Sequence, residues 1–204
     1  MEQQKTYAEE VIKKIKEASQ PEAINPFAIE NDIHNGYVIV KYKKLDIEEK
    51  KIMDGSLSMM LPSEFQIMDE SLARAKYPDE DRPDYIYTNE DTTVNLTFSL
   101  DNSGVIHDDE VEEVKDILKN QIKRLYPGTK IEDSKPIKTD EKNVSYFFFE
   151  IPLIDGNLFQ LMFFMEHKNQ LIMGAFNCGI YQKKQWKPLI LQMLKTLKEV
   201  KEDE

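Results

Sequence analysis

The sequence predicts an α+β domain: a central antiparallel sheet with helices packed on both faces (an α/β/α sandwich), preceded by an N-terminal extension of one helix and one strand. Three observations carry this. First, Val144 to Leu153, Leu158 to Glu166 and Leu171 to Asn177 are strand-like runs. The turn signals Asp155-Gly156 and Lys168-Asn169 join them tightly enough to form an antiparallel meander. Second, Tyr146-Phe147-Phe148-Phe149 and Leu161-Met162-Phe163-Phe164-Met165 are apolar on successive residues, so large side chains emerge on both faces of that sheet and both must be covered. Third, two segments with helical spacing, ending near Leu125 and Val200, are available as covers.

The chain begins with Thr6 and Glu9 in a capping-box pattern ahead of Val11, Ile12 and Ile15, which predicts an amphipathic helix from about Thr6 to Ala18, ended by Pro21 and Pro26. A β-branched run after Asn35-Gly36 predicts a strand around Tyr37 to Lys43. Residues 1–50 share no pattern with the rest of the chain and are read as the extension; residues 51–204 form the main domain. There, "SLSMMLPSEF" reads as a strand stopped by Pro62, and "DYIYTNEDTTVNLTFSL" as a hairpin turning at Asn89-Glu90-Asp91. Asp109 and Glu112 suggest a cap for a helix whose stripe is Val111, Val114, Ile117, Leu118, Ile122 and Leu125, closed by Pro127-Gly128. The final helix carries Leu189, Ile190, Met193, Leu194, Leu197 and Val200 on one face. Pro188 fits its first turn, and Trp186 stands just ahead, placed to pack back on the sheet.

Composition excludes several functions. A chain of 204 residues can bury a core without staples, and its one cysteine forms no internal bridge, as expected for a reducing cytosol. The N-terminus has no basic and then apolar signal pattern, and no apolar run approaches the roughly 18 residues that span a bilayer, so a cytoplasmic protein without a membrane span is expected. A net charge of −11 repels phosphate backbones, and no basic cluster interleaved with aromatics offsets it; nucleic acid is not expected as a partner. Phosphate-loop, dinucleotide, nucleophile-elbow and zinc-protease motifs are absent, and three scattered histidines with one cysteine make no zinc site, so neither cofactor nor metal is expected.

Two stretches remain as candidate sites. "AFNCGIYQKKQWKP" holds the only cysteine and the only tryptophan around a basic stretch. A nucleophilic Cys178 would need a histidine base. His167 lies at a hairpin turn about 26 Å away along the strand, leaving His107 or His34; a small apolar residue at the strand's exit is the simpler role. "KYPDEDRPDY" has two prolines, four acids and Arg82, which can fork onto a carboxylate or phosphate in a rigid recognition loop, or pair internally with an acid. Tyr77, Arg82 and Asp84 of this loop, with Trp186, are the candidate binding residues; no catalytic residue is assigned.

From Ser56 to Val200 the order of elements is similar to the PsbP superfamily, which includes the photosystem II extrinsic protein PsbP, Ran-binding Mog-type proteins and DcrB-like domains. The features that carry the resemblance are the strand toward Leu61-Pro62, the hairpin, the middle helix, the meander and the helix after Trp186. "KYPDEDRP" and "FNC...W" also resemble stretches of uncharacterised bacterial proteins of this fold. The resemblance implies a non-enzymatic domain that binds a protein partner as an adaptor or chaperone-like module. The alternatives are a small thiol-dependent hydrolase using Cys178 and a binder of a small apolar ligand in a cleft beside the sheet.

Overall fold

A computed structural model describes residues 30–139, 142–153 and 156–201. The helix expected over 6–18 lies outside the described residues, as does Asp155 of the first meander turn. Among the described residues, twelve strands and three helices run in order: β1 (Tyr37–Val40), β2 (Lys43–Ile52), β3 (Leu57–Pro62), β4 (Gln66–Ile67), α1 (Glu70–Lys76), β5 (Tyr85–Thr88), β6 (Asn95–Asp101), α2 (Val111–Leu125), β7 (Ile131–Asp133), β8 (Ile137–Lys138), β9 (Asn143–Leu153), β10 (Gly156–His167), β11 (Gln170–Gly179), α3 (Lys183–Lys195) and β12 (Lys198–Glu199).

The meander β9–β10–β11 is the spine of a large antiparallel sheet with order β4-β5-β6-β11-β10-β9-β7, β8 pairing the far end of β9. Its second turn closes on His167↔Gln170, with Lys168 and Asn169 both at positive φ, the geometry of a tight two-residue hairpin. Both faces are apolar, as the successive aromatics predict. Phe147, Phe149, Phe164 and Leu171 pack beneath α2, while Phe98, Phe148, Phe159, Phe163 and Phe176 join the main core on the other face.

That other face is covered by more than a helix. A second antiparallel sheet, order β1-β2-β3-β12, shares its covering with α3, and Val38, Val40, Leu45, Ile47, Leu57, Met59 and Leu61 contribute to the same core. The boundary drawn at residue 50 falls inside β2, which pairs with β3 from Ile47↔Pro62 to Ile52↔Leu57. The strand expected over Tyr37 to Lys43 is instead a hairpin: β1 ends at Val40, and β2 returns after Lys41 and Tyr42, at φ 49° and 66°.

The helices differ from the expected stripes in instructive ways. Glu110, rather than Glu112, closes the start of α2, where its carboxylate accepts from the His107 backbone N–H at 2.8 Å. Ile117 is off the buried stripe at 100° per residue and is exposed, as is Leu125 in the last turn. Lys115 takes a buried position, its Nζ 3.0 Å from Asp133 Oδ1 and 3.1 Å from Asp116 Oδ1. Helix α3 starts three residues before Trp186, so Pro188 sits in its second turn and removes one backbone bond there. It stops at Lys195, short of Val200, because the free edge of β3 competes for the chain. Thr196 Oγ1 accepts from Met60 N–H at 2.9 Å, and β12 then pairs Lys198↔Ser58 and Glu199↔Leu57.

A partly buried charge cluster fixes that last strand. His167 Nδ1 is 2.9 Å from Glu199 Oε1, and Lys142 bridges Glu166 and Glu199. Burial pushes the Glu166 carboxyl up, but the Lys142 hydrogen bond and the Asn169 N–H outweigh it, leaving Glu166 below its ordinary value of 4.5. A depressed carboxyl contributes stability that is present above the unfolded value and lost as pH falls through the folded one. Thermal melts from about pH 6 to about pH 3 are therefore expected to show an acid loss of stability. Lys142→Met, which removes the depressing partner, should lower the curve near neutral pH and flatten its acid limb, so that it converges on the wild-type curve near about pH 3.

Candidate functional site

The residues singled out by sequence divide between the two faces of the large sheet. Tyr77 packs with Met68, Ala73 and Ile86 beneath α1. Trp186 packs in the core that holds Tyr87, and Ile86 and Tyr87, being consecutive on β5, face opposite ways. Tyr77 and Trp186 are thus not brought together. In the 77–84 loop, Arg82 Nη2 pairs with Glu70 Oε1 at 3.2 Å, and Asp84 Oδ2 accepts from Leu100 N–H at 2.9 Å. Arg82 takes the internal pairing, and the loop is fastened to α1 and β6.

The stretch between cysteine and tryptophan is likewise built for packing. Cys178 is fully buried beside Phe159 in the β10–β11 pairing, and burial pushes its thiol up to about 12. His167 is at the other end of β10. His107 follows Ile106, whose N–H bonds Asn169 O at that same far end. The basic stretch clasps α3 to β7 and β9: Lys183 Nζ lies 3.1 Å from Glu132 and 2.8 Å from Glu150, and Lys187 also pairs with Glu132. Trp186 lies between Phe65 and Phe176, both ring centroids 5.8 Å away.

A cleft of about 230 Å³ opens beside this tryptophan. One wall is the β1–β2 hairpin, with Val40, Lys41, Lys43 and Leu45. The opposite wall is Glu64 and the Asn89–Asp91 turn, and Gln182 and Trp186 complete the lining. Trp186 is 1 % exposed, yet its indole Nε1 has no hydrogen-bond acceptor among the described residues. Such an orphaned donor costs about 1–3 kcal/mol.

The rim of the cleft is unusual in two respects. Lys41 and Tyr42 occupy left-handed conformations that a two-residue hairpin ordinarily gives to Asn or Gly, so this tip holds backbone strain. Tyr42 and Tyr181 are 73 % and 71 % exposed, and Lys41, the chain neighbour of Tyr42, holds its Nζ 5.2 Å over the Tyr181 ring. Tyr181 is held across Gly179, where an added Cβ would meet the ring at 2.7 Å. Sequence reasoning found Trp186 because it is unique; nothing in composition marked Lys41, Tyr42 or Tyr181. Among the described residues, no group of three or more His, Cys, Asp or Glu side chains is arranged to hold a metal ion.

No family model and no curated protein matches the sequence. Solved structures do match. Cyanobacterial PsbP from Synechocystis sp. PCC 6803 superposes with a TM-score of 0.54 at 10% identity, covering 76% of this chain and 92% of that one. This chain has the PsbP-like fold. A Bacteroides thetaiotaomicron protein matches the PsbP-like domain with a TM-score of 0.50 at 13% identity, over 77% of this chain and 50% of its own. The Ran-binding protein Mog1p of Saccharomyces cerevisiae matches with a TM-score of 0.48 at 12% identity, over 76% of this chain and 96% of its own. No helix among the described residues is long and apolar enough to cross a membrane.

Proposed function

We propose that this PsbP-like domain is a non-enzymatic, cytoplasmic protein-binding module of an adaptor or chaperone-like kind, and that it binds through the surface around Tyr42, Tyr181 and the Trp186 cleft. The observation that carries the reading is the pair of highly exposed tyrosines at a strained hairpin tip. Large amphipathic rings supply contact area at low entropic cost. Tyr181 is additionally fixed over Gly179 and under Lys41, so little freedom is left to lose on binding. The burial of Cys178 and its raised thiol weigh against the thiol-hydrolase alternative. Trp186 is buried and backs the cleft beneath this surface. The loop of Tyr77, Arg82 and Asp84 is left out, because Arg82 and Asp84 already have partners within the chain.

Site-specific photo-crosslinking tests the reading. A photoreactive residue in place of Tyr42 or Tyr181 is expected to trap a defined protein species from native lysate. A probe at Val105, which is equally exposed but lies in the loop before α2, serves as the control.

A further inference from the structure

Helix α2 is lopsided in charge. Its start is acidic, with Asp108, Asp109, Glu110, Glu112 and Glu113, whereas Ile117 to Ile131 holds Lys119, Lys123, Arg124 and Lys130 and no acid. Lys119 is taken up by Asp116 and Asp133. The acids that follow are also answered, Glu132 by Lys183 and Lys187 and Asp133 by Lys115. Lys123, Arg124 and Lys130 are exposed, and none of them has an ion pair or hydrogen bond among the described residues. Cations suit the end of a helix dipole, but the dipole does not account for what stands among them. Leu125 falls within about 60° of Ile122 around the helix, yet it is 70 % exposed, and Tyr126 is 42 % exposed. Asp108 accepts from the Asn143 N–H at 2.9 Å at the start of β9, and after α2 the chain enters β7 with Ile131 opposite Phe149, so α2 runs along β9 and ends beside its later residues. There Ile151 and Leu153 share the α2 face with Phe149. Ile151 packs in the cluster of Ile122 and Ile131, and Leu153 is 55 % exposed. One end of this face thus carries exposed Leu125, Tyr126 and Leu153 with three unpaired cations.

We propose that this end of the domain docks on an anionic lipid bilayer, with Leu125, Leu153 and the Tyr126 ring entering the headgroup boundary and Lys123, Arg124 and Lys130 meeting the lipid charges. Aliphatic side chains beside an amphipathic ring and flexible cations are what a seat at that boundary requires. These residues line neither the cleft beside β12 nor the one beside Trp186. The high exposure of both leucines marks side chains that project instead of lining a groove, which suits a bilayer better than an acidic peptide. The net charge of −11 does not oppose this contact. The fifteen residues of α2 separate its acidic start from its basic end by about 22 Å, more than twice the Debye length of about 8 Å at physiological ionic strength. This surface is additional to the one proposed for a protein partner.

Co-sedimentation of the full chain with vesicles of phosphatidylcholine, with or without phosphatidylserine, tests the proposal. Binding is expected with the phosphatidylserine vesicles only, and it should fall as salt is raised. Lys123→Gln/Arg124→Gln/Lys130→Gln should weaken it about a hundredfold. Leu125→Ser/Leu153→Ser, which leaves the charge unchanged, should weaken it about tenfold. All five side chains are exposed, so both variants should keep the wild-type thermal midpoint. Lys44→Gln/Lys51→Gln/Lys195→Gln removes the same charge from exposed positions on β2 and α3 and should bind as wild type does. No binding to phosphatidylserine vesicles, equal losses from the two triple variants, or binding insensitive to the leucine changes would each overturn the proposal. Saturable binding of poly-glutamate without vesicle binding would overturn it in favour of an acidic protein partner. Crosslinking at Tyr42 and Tyr181 is unaffected by either failure and tests the protein-binding surface separately.

Discussion

Gly174→Ala is expected to destabilise the domain by about 3 kcal/mol, lowering its midpoint by roughly 10 °C in a thermal melt. Gly174 lies on β11 between Phe98 of β6 and Phe163 of β10 in the ladder, and the two rings close over it with centroids 5.5 Å apart in a T-shaped contact. A Cβ at this position would overlap the Phe163 ring, and Phe98 and Phe163 are both fully buried, so the ring has no solvent route out. The glycine is therefore part of the aromatic packing. If that is the mechanism, Gly174→Ala with Phe163→Leu should cost less than the sum of the two single changes, since they compete for one volume. Additive losses would show that the cost arises in the β11 backbone instead.

Trp186→Ala is expected to cost about 3–5 kcal/mol, because it removes the largest fully buried side chain from between Phe65 and Phe176 and opens a cavity where α3 meets both sheets. Trp186→Phe should cost distinctly less: it retains a ring against both phenylalanines and deletes an indole donor that has no acceptor among the described residues. Denaturant titrations of the three proteins give the comparison. Equal losses for Ala and Phe would mean that the indole N–H contributes to stability through a partner, contrary to its orphaned state in the structure.

The parts of the fold that were legible are those whose pattern allows one solution. The β9–β10–β11 meander was readable because consecutive aromatics demand two covered faces, and α2 because Val111, Val114, Leu118 and Ile122 recur at helical spacing. The small sheet was not. In β2, "KKLDIEEKKI", only Leu45, Ile47 and Ile52 are buried among charged residues, and the turn before it is Lys41-Tyr42, without the Asn-Gly signal that marks hairpins. Strand β12 is two residues long, and its existence depends on the β3 edge, a tertiary partner invisible in local sequence. Lys115 illustrates the same limit in reverse: a lysine on a buried helix face is stabilised by Asp133, 18 residues away on β7.

The candidate site was legible only through Trp186. The remaining members are ordinary Lys, Tyr and Glu residues whose meaning comes from being gathered at one end of the core. The 77–84 loop, prominent in sequence for its prolines and acids, uses Arg82 and Asp84 to fasten itself to Glu70 and Leu100. Unusual composition there reflects local anchoring, whereas the strained tip and unpartnered donor could be seen only after folding.

Photo-crosslinking in native lysate from Tyr42, Tyr181 and Val105 tests the proposed surface most directly. A recognition surface at the hairpin tip predicts one discrete protein adduct, shared by the two tyrosine positions and absent from Val105. Indistinguishable adduct patterns from all three positions, or a discrete adduct from Val105 alone, would contradict it.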